Sequence, residues 1–167
     1  MTLTYFFDSS FFDRTAPEQW RDARECIKAA LGVWAQAIGA TLVFGCEGGH
    51  VIRFGCASTL PEVGKVGWCS GPLTLSDAVK ITFNDSVRWQ TRTPGWASYL
   101  PRLFSRSNDL FTVALHEIGH ALGLAHVDPD DDDALMSCMN ASPEVAGLVN
   151  KPSNLDIALA KKALGLI

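Results

Sequence analysis

Apolar residues recur at helical spacing in three segments of the chain. The first segment carries one apolar stripe about five turns long, which consists of Trp20, Ile27, Leu31, Trp34 and Ile38. A capping-box pattern, TAPE at 15–18, precedes this stripe, and Gly39 ends it. The second segment, 109–124, begins with the negative charge of Asp109 and repeats apolar residues every three or four positions. The third begins at Ser153 with Asp156 and runs to about residue 164, so the pattern predicts three helices.

Short apolar runs between these segments predict the strands of one sheet. Residues 2–7 alternate loosely and are rich in aromatic and β-branched side chains. Four further runs are bounded by Gly, Pro, Asn or Asp, and they cover 41–44, 50–54, 65–69 and 79–83. Residues 84–107 contain two prolines and a glycine without a sustained period, so they predict a long connecting loop.

Composition indicates one compact domain and excludes several classes of partner. The 167 residues are 47% hydrophobic and 19% charged, which is enough apolar material to bury a core. No apolar stretch approaches the roughly 20 residues that cross a bilayer. A net charge of -4 argues against general electrostatic binding of nucleic acid or anionic lipid.

Cysteine content and the N-terminus bear on the cell compartment without deciding it. The five cysteines are Cys26, Cys46, Cys56, Cys69 and Cys138, and four of them can form two disulfides or all can be small buried side chains. No C-x-x-C pair occurs, which argues against a cysteine zinc knuckle. The first residues lack the pattern of a secretory signal, so either the protein stays inside the cell or a leader was removed.

Three of the four histidines lie within eleven residues, in the sequence HEIGHALGLAH at 116–126. Residues four apart on a helix lie on the same face, so His116 and His120 can offer nitrogens to one point in space, with Glu117 beside it. Gly123 allows the chain to leave the helix, because glycine adopts the left-handed conformation without steric cost, and His126 can then turn back. An isolated helical histidine pair is often ordinary packing, but Gly123 and His126 at these offsets favour a metal site.

Three neutral nitrogens with an open fourth position are typical of a catalytic zinc site. Zinc bound in this way lowers the pKa of its water to about 7 and polarises a carbonyl oxygen. Glu117 is placed to take the proton of this water and to pass it to a departing amine. The motif therefore predicts peptide hydrolysis without a covalent intermediate.

The extended motif, followed by ALM at 134–136, resembles that of the metzincin zinc peptidases and is most similar to that of the matrixins, the matrix metalloproteinases. The resemblance extends over nearly the whole chain, with matching segments at 3–5, near Trp34, and at 51–54, 80–89, 108–111 and 154–157. It implies a zincin-like α+β (α/β) catalytic domain with a twisted five-stranded mixed sheet and three helices. One domain, 1–167, would consist of a sheet subdomain at about 1–125 and a small C-terminal subdomain at about 126–167.

The resemblance also implies supporting and substrate-binding residues. Met136 matches the methionine of the Met-turn, a supporting residue beneath the zinc. The edge strand, at 64–69, would pair with an extended protein or peptide substrate by backbone hydrogen bonds. The candidate substrate-binding residues are Gly67, Trp68 and Cys69 in this strand, and Ser137, Cys138 and Met139 in one wall of the pocket beyond the scissile bond. Ordinary loop packing is the alternative for Cys138.

Several residues depart from the matrixin pattern. Only His50 lies outside the motif, so we expect one zinc ion rather than an additional structural one. Ser137, Cys138 and Asn140 replace the usual Pro and Tyr, and ten positions separate His126 from Met136. The extra length includes the acidic run 130–133, which is either a calcium-binding loop or a solvated charged loop, and Asn84 and Asp85 raise the same question.

Regulation is another departure. Matrixin precursors carry an inhibitory propeptide cysteine, and no such segment precedes Thr2, so the chain is a trimmed, extracellular domain or a minimal enzyme. In the last helix of matrixins, a pair of aspartates anchors the freed N-terminus and supports the Met-turn. Only the second of the two, Asp156, is present in this sequence.

The sequence as a whole predicts a monomeric zinc-dependent endopeptidase. Two alternatives remain: a zinc-containing binding module that does not cut its partner, and a protease that processes only itself or one partner.

Overall fold

The structure is a computed structural model, and it describes residues 1–11, 17–91, 108–127, 137–140 and 149–167. Its main sheet has five strands: β1 Thr2–Phe7, β2 Thr41–Phe44, β3 Val51–Ala57, β4 Gly67–Cys69 and β5 Ala78–Asn84. Their spatial order is β2-β1-β3-β5-β4. The first four strands in that order are parallel, whereas β4 runs antiparallel to β5 and forms one edge. The five runs predicted as strands are thereby confirmed, with ends that differ by up to three residues.

Three α-helices accompany the sheet in the described part of the chain: α1 Pro17–Ile38, α2 Leu110–Ala121 and α3 Asn154–Ala163. Each corresponds to a predicted helix. Asp109 caps α2 by accepting a hydrogen bond from the Thr112 amide, and Ser153 and Asp156 form a reciprocal capping box on α3. Residues 15 and 16 of the first predicted capping box lie outside the described residues. None of these described helices is long and apolar enough to span a membrane.

The prediction of a loop throughout 84–107 is wrong at residues 89 and 90. Strand β6, Trp89–Gln90, pairs in parallel with β7, Asn108–Asp109. Trp89 also packs edge-on against Phe83 and donates from Nε1 to the Asn84 carbonyl at 2.7 Å. The partner strand lies far along the chain, so no local hydrophobic period indicates this pairing. Residues 92–107 lie outside the described part.

The hydrophobic core lies between one face of the sheet and helices α1 and α2. Its largest fully buried side chains include Leu3, Phe11, Ile27, Leu31, Trp34, Ile52, Phe54, Ile81, Phe83, Phe111 and Leu115. Trp34 joins the two helices directly, because its Nε1 donates to the Leu115 carbonyl at 2.9 Å. This bond fixes α2, at the residue directly before the histidine motif, against the centre of the molecule. The motif is therefore held on a packed element rather than on a free loop.

Candidate active site

The three histidines of the motif converge on one point. The Nε2 atoms of His116, His120 and His126 lie 3.1 Å from one another in all three pairs. His116 is buried, His120 is partly exposed and His126 is exposed. The cluster thus extends from the core to solvent. Its three Nε2 atoms surround a common centre.

Helix α2 and the turn that ends it produce this convergence. His116 and His120 lie one turn apart, which stacks their side chains on one face. The helix ends at Ala121, and Gly123 adopts a φ of 101°, a conformation that favours glycine. The Leu124 amide then donates to the Gly119 carbonyl at 3.0 Å. This reversal carries His126 back to the other two rings, as the sequence predicts.

Backbone carbonyls orient two of the imidazoles. His116 Nδ1 lies 2.9 Å from the Cys138 carbonyl oxygen, and His120 Nδ1 lies 2.8 Å from the Leu124 carbonyl oxygen. A carbonyl can only accept, so Nδ1 carries the proton in both rings. The unprotonated Nε2 atoms consequently direct their lone pairs toward the common centre, as is usual for metal-ligating histidine.

The surroundings keep these imidazoles neutral. Burial, reinforced by the neighbouring His120, lowers the pKa of His116 to about 4. Burial also lowers the pKa values of His120 and His126 below the ordinary histidine value. At neutral pH the cluster therefore presents unprotonated nitrogens, which is the form that binds a metal.

The donor set fits a zinc ion. The ligands of a tetrahedral zinc at about 2.0–2.1 Å lie roughly 3.3 Å from one another, close to the distances between the three Nε2 atoms. Three inward-directed lone pairs have no hydrogen to share, so a cation is the group that satisfies them. These three histidines could hold a metal ion, and their nitrogens leave a side open to the cleft.

Glu117 lies against the edge strand beside this cluster. Its side chain is buried, and a Cβ placed on Gly67 would lie 2.6 Å from Oε1 and 2.9 Å from Cγ. Burial raises the pKa of Glu117 to about 7, although the positive charge of Lys65 opposes the increase. The structure thus brings a carboxyl group with a pKa near neutrality next to the three histidines, and glycine at position 67 provides the necessary space.

An open cleft runs between β4 and α2. Among the described residues, Gly67, Trp68 and Cys69 line one side and the motif lines the other, and substrate binding by these three residues stays a prediction. Glu62 and Lys65 flank the beginning of β4, and Gly71 and Pro72 follow its end. Cys69 is partly exposed there, and burial raises the pKa of its thiol to about 11. The sequence analysis did not single out Glu62 or Lys65, since neither belongs to a motif.

Residues 137–140 lie beneath the histidines. Ser137, Cys138 and Met139 are buried and are not among the described lining residues of the cleft, so their part in a substrate pocket stays a prediction. The Asp156 carboxylate accepts hydrogen bonds from Ser137 Oγ at 2.6 Å and from the Cys138 amide at 3.1 Å. Asp156 therefore fixes the segment whose carbonyl orients His116.

Met139, named above as a candidate pocket residue, also packs against Gly119 of the motif, and the sequence analysis did not predict this contact. It is fully buried, and a Cβ on Gly119 would collide with its Sδ atom. A glycine in the middle of a helix was the available signal, because such a position often marks a close approach. Met136 and the acidic run 130–133 lie outside the described residues.

Cys26, Cys46, Cys56 and His50 are not among the described residues that line the cleft. Cys46, Cys69 and Cys138 have free thiols, while Cys26 and Cys56 are buried. His50 precedes β3 in a turn with a φ of 56°. Asn84 ends β5, where its Oδ1 accepts from the Ser86 amide at 2.8 Å.

A comparison with known protein families covers the residues of this site. A family model described as Matrixin matches residues 68–157, which are 90 of the 167 residues. The chain belongs to the matrixin family. The matched region contains most of β4, all of α2 and the histidine cluster, so it covers both sides of the cleft of this matrixin. No curated protein matches the chain.

Family and site agree on the general chemistry. The α+β fold, with its five-stranded mixed sheet and three helices, is that of a matrixin catalytic domain. The family uses zinc and acts on peptide substrates, and three histidines that could bind zinc lie in the cleft. Together these findings indicate a zinc metallopeptidase.

Proposed function

We propose that this matrixin is a zinc-dependent endopeptidase in which His116, His120 and His126 hold the metal and Glu117 is the general base. The convergence of three Nε2 atoms at 3.1 Å, beside a buried carboxyl group in an open cleft, carries the proposal. When bound, zinc would polarise the scissile carbonyl and make a water molecule more acidic.

Glu117 transfers the proton in this proposal. A general base works best when its pKa lies near the working pH, and burial gives Glu117 a pKa of about 7 in the metal-free protein. The carboxylate takes a proton from the attacking water and later delivers it to the departing amine. Gly67 keeps the carboxylate close to the edge strand and therefore close to the bound peptide.

The substrate binds along β4 as an additional strand. This strand is an edge of the sheet, since β5 is its neighbour on one side and the cleft lies on the other. An extended peptide can pair with such an edge through backbone hydrogen bonds. We assign Gly67, Trp68 and Cys69 to this interaction, which places the scissile bond opposite the histidines.

The C-terminal residues support the site from below. We propose that residues at about 126–167 form a small subdomain under the sheet subdomain, with Met136 as a supporting methionine. Ser137, Cys138 and Met139 would form one wall of the pocket beyond the scissile bond. The Asp156 bonds to residues 137 and 138 favour this arrangement, because they hold this wall in one position.

A non-catalytic zinc module is the alternative from another class. The presence of Glu117, buried beside the histidines rather than replaced by an inert residue, favours the enzyme. A protease restricted to itself or to one partner shares the same site and differs only in its substrates. Mass spectrometry of an aged, zinc-loaded sample would reveal internal fragments in that case.

Digestion of denatured casein and gelatin tests the proposal. The zinc-loaded protein should cleave both, a chelator should abolish cleavage, and added zinc should restore it. Glu117→Gln should retain about one zinc per chain and lose at least 100-fold in rate. Glu25→Gln, an exposed surface change, is the matched control and should remain active. A folded, zinc-loaded protein that cleaves no substrate, including itself, would contradict the proposal.

A further inference from the structure

The two ends of the cleft differ in charge. Glu62 and Lys65 line the end where β4 begins. Gly71 and Pro72, which follow the end of β4, line the other end, and neither is charged. A peptide lying along β4 would therefore meet charged groups on one side of the scissile bond and uncharged groups on the other.

The main chain at Lys65 is fixed. The Asn84 amide donates to the Val66 carbonyl at 2.8 Å, and Asn84 Nδ2 donates to the Lys65 carbonyl at 3.4 Å. The Lys65 amide in turn contacts the Glu62 carbonyl at 3.5 Å. These bonds tie the residue to the end of β5, so the lysine side chain extends into the cleft from a stationary position.

The side chain of Lys65 is available to a ligand. It is 47% exposed, and its Nζ lies 3.9 Å from Glu62 Oε2, with Glu62 itself 62% exposed. Exposed ion pairs at such distances contribute little, so an incoming carboxylate can replace Glu62 at small cost.

We propose that Lys65 is a specificity-determining residue. It binds a carboxylate of the peptide substrate on the side of the scissile bond that faces the beginning of β4. The inference rests on the proposed peptidase function and adds a substrate class to it. The carboxylate can belong to an Asp or Glu side chain or to the free C-terminus of a short peptide. Both sources present the same charged group to Nζ at the same end of the cleft.

Kinetics on a matched peptide series tests this assignment. The parent peptide is a sequence cut from casein by the zinc-loaded protein, and single positions on each side of the cut carry Glu, Gln or Lys. A second arm compares a free C-terminus with its amide. We expect kcat/KM to be roughly two- to fivefold higher for Glu than for Gln at one position on one side of the cut, or for the free acid than for the amide.

Variants separate a binding role from a structural one. Lys65→Ala should remove the preference mainly through KM, Lys65→Glu should reverse it toward Lys peptides, and Lys65→Arg should retain it. Lys28→Ala is the matched control, because Lys28 forms a similar surface pair with Glu25 three residues away. It should leave the preference unchanged.

The possible results separate the role of Lys65 from the peptidase function on which it rests. Cleavage with equal rates for Glu, Gln and Lys peptides and for both C-termini would refute the role of Lys65 while leaving the peptidase intact. An acidic preference that survives in a folded Lys65→Ala protein would refute it as well. Absence of cleavage of every peptide by folded, zinc-loaded protein would refute both.

Discussion

The carbonyl oxygen of Cys138 lies 2.9 Å from Nδ1 of His116 and fixes the orientation of the most buried imidazole in the cluster. Cys138 is held in turn by Asp156, at the start of α3. A helix at the end of the chain thus determines how a metal ligand on α2 points. Mutation of such outer contacts of metal ligands typically costs about 10- to 100-fold in metal affinity or activity.

Replacement of Asp156 should weaken both stability and zinc binding. This carboxylate is fully buried and accepts from Ser137, Cys138 and the Ser153 amide. Asp156→Ala leaves those donors unpaired, so we expect a loss of about 3 kcal/mol in the free energy of unfolding and at least tenfold weaker zinc binding. Urea denaturation and chelator competition measure the two effects. Asp22→Ala, at an exposed position of α1, should change neither.

Glu117→Gln should stabilise the metal-free protein at alkaline pH. The pKa of Glu117 is raised from 4.5 to about 7 on folding, so ionisation opposes folding and stability is lost as pH rises through this interval. The variant has no such loss. We expect it to exceed the parent protein by roughly 3 kcal/mol at pH 8 and to approach it near pH 4.5, measured by urea denaturation with chelator present. A difference independent of pH would contradict the burial of an ionisable carboxyl group.

His116 should produce the opposite pH dependence in the metal-free protein. Its pKa falls from 6.5 to about 4 on folding, so the unfolded chain binds the proton first and stability declines as pH falls from 6.5 toward 4. His116→Gln should lose less stability than the parent protein over this range. Parallel curves for His116→Gln and the parent would show that the imidazole is not held neutral by burial.

A larger side chain at position 67 should lower kcat without a loss of bound zinc. The space beside Gly67 is filled by the Glu117 carboxyl group and by Val113 Cγ1, which lies 2.9 Å from the position of a Cβ. Gly67→Val must displace one of them, so we expect kcat to fall by about 10- to 100-fold with zinc content unchanged. Gly49→Ala, where a Cβ would meet nothing within 4 Å, is the control. Full activity of Gly67→Val would mean that the position of Glu117 does not depend on this contact.

Local patterns in the sequence predicted most of the fold. The hydrophobic period identified α2, with the negative charge of Asp109 at its start, and the period with Ser153 and Asp156 identified α3, because these signals act within a few residues. The spacing of the motif predicted that His116, His120 and His126 would meet, since helix geometry and one glycine turn determine their separation. These parts of the site depend on neighbouring residues only.

Contacts between distant segments could not be predicted in this way. The pairing of Trp89 with Asn108, the Cys138 carbonyl under His116 and the approach of Gly67 to Glu117 each join residues separated by 19 to 50 positions. No hydrophobic period along the chain indicates such long-range contacts. Lys65 likewise belongs to no motif, and it becomes notable only when β4 is seen to border the cleft.

The central claim is that the three imidazoles bind one zinc ion and leave a position open to the cleft. A crystal structure of the zinc-loaded protein, with anomalous data collected on both sides of the zinc absorption edge, tests it most directly. The account predicts one peak about 2.0–2.1 Å from the Nε2 atoms of His116, His120 and His126, with no fourth protein ligand. A peak elsewhere, or one whose fourth ligand is a side chain of this protein, would contradict the account.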